Sequence, residues 1–132
     1  MLDVQDIQLE PGTVGSGVAG IVRVRDNGGP WGTVCDYGYD FDMPDAKVAC
    51  RQLGFTKAVG YWWEGRGSGK VWLWNMQCKG TETSLHNCTH NGWGKVQSYC
   101  NSHNYDIGVV CSGYKGNIKC TTLDFIAFYR LN

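Results

Sequence analysis

The chain has 132 residues, with 12 lysines and arginines against 12 aspartates and glutamates, so its formal net charge is zero. This length fits one domain, and the balanced charge predicts no dedicated nucleic-acid partner and no attraction to an anionic membrane. No stretch approaches the roughly 20 apolar residues that cross a bilayer.

The first half of the chain contains two alternating segments, which predict two strands. These are residues 6–10 (DIQLE) and 21–25 (IVRVR), where apolar and polar side chains alternate with a period of two. Asn27-Gly28 is a hairpin signal, so Thr33 and Val34 begin the return strand. The preceding start, MLDVQ, has no basic region followed by an apolar run, so we expect a mature segment with an added Met1 rather than a signal peptide.

Residues 44–53 are the strongest predicted helix. Pro44 suits the first turn because its missing N–H is not needed there. Asp42 is a plausible cap for free backbone N–H groups, and Asp45 places an anion near the positive end of the helix dipole. One buried stripe is formed by Ala46, Ala49, Cys50 and Leu53. Gly54 then ends the helix.

The second half contains shorter predicted elements. The glycine-rich residues 64–70 (EGRGSGK) lack the phosphate-loop pattern and are expected to be a flexible connection. Residues 71–78 alternate and predict a strand, with Val71 and Leu73 on one side and the tryptophans and Met76 on the other. Residues 81–88 predict a short helix and residues 106–112 a buried strand.

Seven cysteines are the most informative part of the composition. This density predicts a disulfide framework in an oxidising, extracellular compartment. One cysteine is left over, and Cys120 is our choice because it lies in a tail of different composition. A zinc site of Cys88, His90, Cys100 and His103 competes with this interpretation, but its spacing is not that of a common finger and the other cysteines would be unexplained. The residues alone leave the disulfide pairing open, because six cysteines allow fifteen connectivities.

Four segments together resemble the scavenger receptor cysteine-rich family. They are WGTVCDYGYD, DAKVACRQLGF, GSGKVWLWNMQCKGTETSLHNCTHNGWG and DIGVVCSG, which occur in the family's order at near-family spacing. The extra cysteine pair of the eight-cysteine type is absent, because Val18 and Phe55 stand at its positions. The chain is therefore similar to the six-cysteine type, called group A.

The resemblance implies a fold, a disulfide pairing and a division of the chain. The implied fold is an α+β, small disulfide-rich domain, with a curved antiparallel sheet cradling one helix, a second short helix and long loops. The division is a short linker at 1–5, the domain at 6–112, and a tail or neighbouring segment at 113–132. The implied pairs are Cys35–Cys100, Cys50–Cys111 and Cys78–Cys88.

The resemblance also implies a function. The family is a non-catalytic extracellular recognition module, found in secreted proteins and in the ectodomains of membrane proteins. We expect binding to microbial or polyanionic surfaces in innate recognition. The alternative is a protein–protein adhesion or assembly module from a larger receptor, protease or oxidase.

Some family members hold calcium or magnesium on adjacent acidic residues, since hard cations need several oxygen ligands. Here Asp36 is kept, but Tyr37 follows it where a second aspartate is usual. Asp40 and Asp42 lie in a short insertion and are candidate replacement ligands. We expect no required cofactor, with Ca²⁺ or Mg²⁺ at these aspartates as the candidate.

Basic and aromatic residues are the other candidate ligand contacts. Arg23 and Arg25 share one strand face, and Arg66 and Lys70 lie in the glycine-rich loop; such side chains suit sulfate, phosphate and carboxylate groups. Trp62 and Trp63 follow Tyr61, so at least one of these rings is expected to point outward, and such rings dominate binding hot spots.

No enzyme activity is expected from this chain. His86, His90 and His103 have no convincing nucleophile beside them, because the cysteines of the domain are expected to be oxidised. His103 is expected to order a loop near Asp106. Asn87-Cys88-Thr89 is a glycosylation sequon whose middle residue is expected to lie in a disulfide.

Overall fold

The computed structural model describes residues 6–11 and 18–115. The strands are β1 (Ile7–Pro11), β2 (Val18–Val24), β3 (Gly32–Cys35), β4 (Phe55–Trp63), β5 (Lys70–Trp74) and β6 (Ile107–Tyr114). The helix α1 spans Met43–Gln52, and short 3-10 helices lie at Leu85–Asn87 and Ser98–Ser102. Cys120 and the predicted tail beyond residue 115 lie outside the described residues, and the division into 1–5, 6–112 and 113–132 stays a prediction.

The strands form one sheet in the order β4-β6-β2-β3-β5, and β1 pairs with β2. Every pair is antiparallel except β3 and β5, which run parallel. Parallel neighbours need a long connection, because the chain must return to the same end of the sheet before the second strand begins. Here α1 and β4 lie between β3 and β5 and provide that connection. The small α+β fold with one helix on a curved sheet is as predicted, although the sheet is mixed rather than wholly antiparallel.

Helix α1 begins as the sequence indicates. Asp42 is the N-cap, Pro44 lies in the first turn, and Asp45 closes a capping box by accepting the Asp42 backbone N–H at 2.9 Å. Ala46, Ala49 and other residues of the helix are fully buried against the sheet. The helix ends at Gln52 with Leu53 as its C-cap, and Gly54 follows with a φ of +97°.

Two predicted elements are shorter than expected, and one strand was not predicted. β5 ends at Trp74 because Asn75 adopts a left-handed φ of +60°, so Met76 turns into the core instead of continuing the tryptophan face. The helix expected at 81–88 is a single 3-10 turn at Leu85–Asn87. β4 escaped prediction because its exposed face carries Val59, Tyr61 and Trp63, so apolar and polar residue types do not alternate along it.

Three disulfides connect distant elements, and they join the pairs that the family resemblance implies. Cys50–Cys111 fixes α1 to β6, and Cys35–Cys100 fixes the end of β3 to the second 3-10 helix. Cys78–Cys88 closes a short loop. In the chain-entropy account, each long-range bond stabilises the fold by about 4 kcal/mol and the short one by about 3 kcal/mol.

Candidate ligand-binding site

The loop at residues 36–42, between β3 and α1, is organised by the carboxylate of Asp36. One of its oxygens accepts the Phe41 backbone N–H at 2.6 Å, and the other accepts the indole N–H of Trp63 at 2.9 Å. Asp36 is only 3% exposed. Because these two bonds join the start of the loop to its end and to β4, the Asp36 side chain holds the loop in shape.

Burial raises the pKa of Asp36, and the charge of nearby Asp40 adds to the rise, while the bonds from Phe41 and Trp63 oppose it. Both Asp36 oxygens already accept hydrogen bonds, and Asp42 caps α1. Asp36, Asp40 and Asp42 do not form a cluster of metal-ligating atoms in the described part of the chain. A cation bound by these aspartates stays a prediction.

Among residues 6–11 and 18–115, one group of two cysteines and a glutamate has side-chain atoms close enough together to surround a metal ion. It cannot bind a metal through its sulfur atoms. It consists of Cys78, Glu82 and Cys88, whose cysteines form a disulfide. The zinc alternative fails for the same reason, because Cys88 and Cys100 belong to two different disulfides.

Five aromatic rings form a continuous surface that we call the aromatic face. They are Tyr37, Tyr39, Trp63, Tyr99 and Tyr105. The ring of Trp63 lies 5.0 Å from that of Tyr39 and 5.4 Å from that of Tyr105, and Tyr37 stacks on Tyr99 at 4.9 Å. Tyr39 is 80% exposed, Tyr99 61% and Trp63 42%. Rings this exposed and this well supported are typical of a contact surface.

One end of the aromatic face opens into a cavity that we call the aromatic pocket. Its volume is about 290 Å³. It is lined by Asp36, Tyr39, Phe41, Asp42, Tyr61, Trp62 and Trp63. Phe41 forms the buried part of the wall, and its ring meets that of Tyr61 edge-on at 5.8 Å. The pocket therefore lies between the 36–42 loop and β4.

The structure distinguishes the two tryptophans that were predicted as ligand contacts. Trp63 is exposed and belongs to both the face and the pocket. Trp62 also lines the pocket, but it is half-buried, its ring lies over Gly108, and its indole N–H donates to Glu64. Trp63 is thus the better placed of the two to meet a ligand.

The predicted basic contacts Arg23, in β2, and Arg25, just after it, have acidic partners. Arg23 lies 3.7 Å from a Glu10 oxygen, and Arg25 lies 3.2 Å from an Asp6 oxygen. Both guanidinium groups also lie over the ring of Trp31, at 5.8 and 4.4 Å. Their charge is therefore partly compensated within the domain.

Arg66 and Lys70, the other predicted basic contacts, are both exposed in the glycine-rich connection. The Lys70 ammonium lies 5.0 Å from the ring of Trp72. The connection is anchored at Gly67, because Asp106 accepts the Gly67 backbone N–H at 2.8 Å. The expected flexibility of the connection stays a prediction.

His103 orders this loop, as predicted. Its Nδ1 lies 2.8 Å from an Asp106 oxygen, and its Nε2 lies 2.8 Å from the Gly69 carbonyl oxygen. Asp106 also accepts a hydrogen bond from the Thr33 hydroxyl at 2.8 Å. Burial raises the pKa of Asp106, and its hydrogen bonds to His103, Thr33 and Gly67 oppose that rise. These contacts join β3, the glycine-rich connection and the segment that leads into β6.

The side chain of Asn87, in the predicted glycosylation sequon, is exposed and donates to the Thr83 hydroxyl at 3.1 Å. Cys88 is buried in its disulfide, and Thr89 is exposed. Glycosylation at Asn87 stays a prediction.

The sequence interpretation missed four tyrosines of the aromatic face, Tyr37, Tyr39, Tyr99 and Tyr105. A signal for them did exist, because two lie just after Cys35 and two flank Cys100. The disulfide between these cysteines brings the two tyrosine-rich segments together. The pairing implied by the resemblance was therefore enough to suggest that these rings meet.

Comparison with known proteins gives the family. The profile of the Scavenger receptor cysteine-rich domain matches residues 13–112. The chain belongs to the scavenger receptor cysteine-rich family. Domains of this family are extracellular modules that bind ligands or other proteins, and they are generally non-catalytic. No cofactor is indicated for such a domain, and within the described ranges no helix is long and apolar enough to cross a membrane.

Two solved scavenger receptor cysteine-rich domains share the fold. The dimeric form of the domain from mouse MARCO is 41% identical, with a TM-score of 0.64 over 76% of this chain and 92% of that one. The third such domain of murine neurotrypsin is 32% identical, with a TM-score of 0.62 over 83% of this chain and 97% of that one.

Full-length relatives are much longer than this chain. Lysyl oxidase homolog 4 of Bos taurus is 51% identical over 64% of the chain, and lysyl oxidase homolog 2 of Gallus gallus is 44% identical over 83% of it. These matches cover 11% and 14% of the two relatives. The chain thus spans roughly an eighth of their length, and in them this domain is one part of a larger protein.

Proposed function

We propose that this chain is the protein-recognition domain of a larger, secreted, lysyl-oxidase-like protein, and that it meets its partner through the aromatic face and the aromatic pocket. It has no catalytic role of its own. In this proposal the domain holds a partner protein. A separate part of the parent protein carries the lysyl oxidase activity for which its relatives are named.

The observation that carries the proposal is the environment of Trp63. The ring is 42% exposed, yet its indole N–H is fixed on the buried Asp36 and its faces are supported by Tyr39 and Tyr105. A large ring held in one orientation contacts a partner with little loss of conformational entropy, which is the usual property of a binding hot spot.

Binding to polyanionic or microbial surfaces in innate recognition is the second candidate. It is favoured by the exposed Arg66 and Lys70 in the glycine-rich connection. It is disfavoured by Arg23 and Arg25, whose charges are partly compensated by Glu10 and Asp6. We therefore rank it below protein recognition.

We also propose that the domain is of the six-cysteine type and that Cys120 is free or links two chains. The three disulfides support the first part, together with Val18 and Phe55 at the positions of the missing pair. The dimeric MARCO domain is a precedent within the family for the second.

Two probes separate the candidate functions: heparin for polyanions, and a collagen film for an extracellular protein that carries lysine side chains. Each is tested from low to high salt, because polyanion binding weakens steeply with ionic strength whereas an aromatic contact does not. We expect collagen binding that weakens with salt much less steeply than heparin binding does and that is lost in Trp63→Ser. Val59→Ser is the matched control, since Val59 is a 62% exposed apolar residue of the same strand outside the pocket.

The polyanion candidate predicts a different pattern. Heparin binding would be lost in the double variant Arg66→Ala, Lys70→Ala and would be unaffected by Trp63→Ser. Binding to heparin without binding to collagen, or collagen binding equal in Trp63→Ser and Val59→Ser, would contradict our proposal.

A further inference from the structure

The aromatic pocket combines aromatic rings with negative charge. Its lining contains Asp36 and Asp42 and no lysine or arginine among the described residues. The whole loop at residues 36–42 carries three aspartates and no basic residue. This surface is opposite in charge to the polyanion site that the sequence suggested.

We propose that the aromatic pocket binds the charged end of a lysine or arginine side chain presented by a protein partner. The inference rests on the protein-recognition function proposed above and names the chemistry of the contact. A cation is attracted to the negative face of an aromatic ring, most strongly to tryptophan, when it lies within about 6 Å of the ring centre. Trp63, Tyr39 and Tyr61 supply such rings around one opening.

The size of the pocket agrees with a single side chain. Its volume of about 290 Å³ lies at the lower limit of ligand sites, which usually span roughly 300–1,000 Å³. The apolar stem of a lysine or arginine packs on Phe41 and Tyr61, and its charged end reaches the exposed carboxylate of Asp42.

The electrostatics of the loop favour an incoming positive charge. Asp36 and Asp42 line the pocket, and Asp42 is exposed. Burial is the main cause of the raised pKa of Asp36, and the charge of Asp40 in the same loop adds to it. This negative charge attracts a cation and repels a sulfate or phosphate group.

An organic cation fits these groups better than a metal ion does. Calcium requires six to eight oxygen ligands, whereas both Asp36 oxygens already accept hydrogen bonds from Phe41 and Trp63. A lysine or arginine needs no complete oxygen shell, because ring faces and water satisfy the remainder of its charge.

The pocket is formed before any ligand arrives. The Trp63 ring is held by Asp36 and packed by Tyr39, and the Tyr39 backbone N–H donates to the Asp36 carbonyl oxygen at 3.4 Å. Binding therefore does not require the loop to fold, which lowers its entropic cost.

The test follows the Trp63 indole N–H by NMR while small probes are added to the ¹⁵N-labelled chain. The probes are Nα-acetyl-lysine amide, Nα-acetyl-arginine amide and the neutral Nα-acetyl-norleucine amide. The indole signal is assigned from its loss in Trp63→Phe. We expect saturable shifts with the two cationic probes and no saturable shift with norleucine.

The variant Tyr39→Ser tests the ring contribution without disturbing the core, because Tyr39 is 80% exposed. It should weaken binding of the lysine probe roughly fivefold. Val59→Ser should leave the binding unchanged. The dispersion of the amide spectrum shows whether each variant remains folded.

Three outcomes would overturn the inference: no saturable shift with either cationic probe, equal shifts with norleucine, or shifts produced by calcium chloride and reversed by chelator. If the probes fail while collagen binding still depends on Trp63, the proposed function stands and only the cationic contact is wrong. If collagen binding also fails to depend on Trp63, the proposed function fails with it.

Discussion

Replacing Asp36 with alanine separates its structural role from a role as a metal ligand. The substitution removes both acceptors, so the Phe41 amide and the Trp63 indole N–H lose their partner. The Phe41 amide is buried, and leaving such a donor unsatisfied costs about 1–3 kcal/mol. The indole lies beside the open pocket and regains water, so its loss adds about 1 kcal/mol at most.

We therefore expect Asp36→Ala to lower the free energy of unfolding by about 1–4 kcal/mol. This is less than the total stability of a typical domain, which is about 5–15 kcal/mol. The assay is urea unfolding with the disulfides intact, followed by tryptophan fluorescence, in chelator and again in calcium. The loss should be the same in both buffers. Asp40→Ala is the matched control in the same loop and should change stability by less than about 0.5 kcal/mol.

A metal-ligand role predicts a different result. Calcium would then stabilise the unsubstituted chain, by about 2.7 kcal/mol at a concentration one hundred times its dissociation constant. Asp36→Ala would abolish that gain and have little effect in chelator. This result would refute the interpretation of Asp36 as the organiser of the loop.

Three further predictions concern other parts of the domain. Burial raises the pKa of Asp45 from 3.8 to about 7. The folded state therefore holds the proton of the Asp45 carboxyl group more tightly than the unfolded state does. The free energy of unfolding should fall by up to about 4 kcal/mol as pH rises from 4 to 8. Asp45→Asn should flatten that slope in pH-dependent urea unfolding, and an unchanged slope would contradict the assignment. Gly67→Ala would place a Cβ 2.4 Å from an Asp106 oxygen and 2.6 Å from a Thr33 methyl carbon. It should therefore lower the free energy of unfolding by about 1–3 kcal/mol and make the glycine-rich connection more sensitive to protease. A digestion rate equal to that of the unsubstituted chain would disprove this. If Cys120 links two chains, non-reducing electrophoresis should show a dimer that Cys120→Ser converts to monomer, whereas a monomer with one titratable thiol would refute the link.

Local patterns predicted the helix well because its signals lie next to one another in the chain. The cap at Asp42, the proline in the first turn and the apolar stripe all act within α1. The same local reasoning lost β4, because apolar side chains also occupy its exposed face and no apolar–polar alternation marks it as a strand. It also extended β5 too far, because nothing in the residue type of Asn75 forces the left-handed conformation that ends the strand.

The site residues could be recognised only in part. Trp63 was expected to be a contact, but its support by Asp36 joins residues 27 positions apart. Arg25 was expected to be available, but its partner Asp6 lies 19 positions earlier, just before β1. Sequence periodicity carries no information about such pairs, because it describes one element at a time.

The sequence by itself indicated a disulfide-rich domain, the helix and its cap, and, through its motifs, the family. Those properties depend on composition and on residues close in the chain. Tertiary structure alone decided what the carboxylates, the arginines and the aromatic rings do. Folding buries Asp36 beneath Trp63, pairs Arg23 and Arg25 with Glu10 and Asp6, and brings tyrosines from both ends of the Cys35–Cys100 bond onto one surface. The physical reason is that charge and exposure depend on neighbours in space, and long-range strand pairing and disulfides select those neighbours.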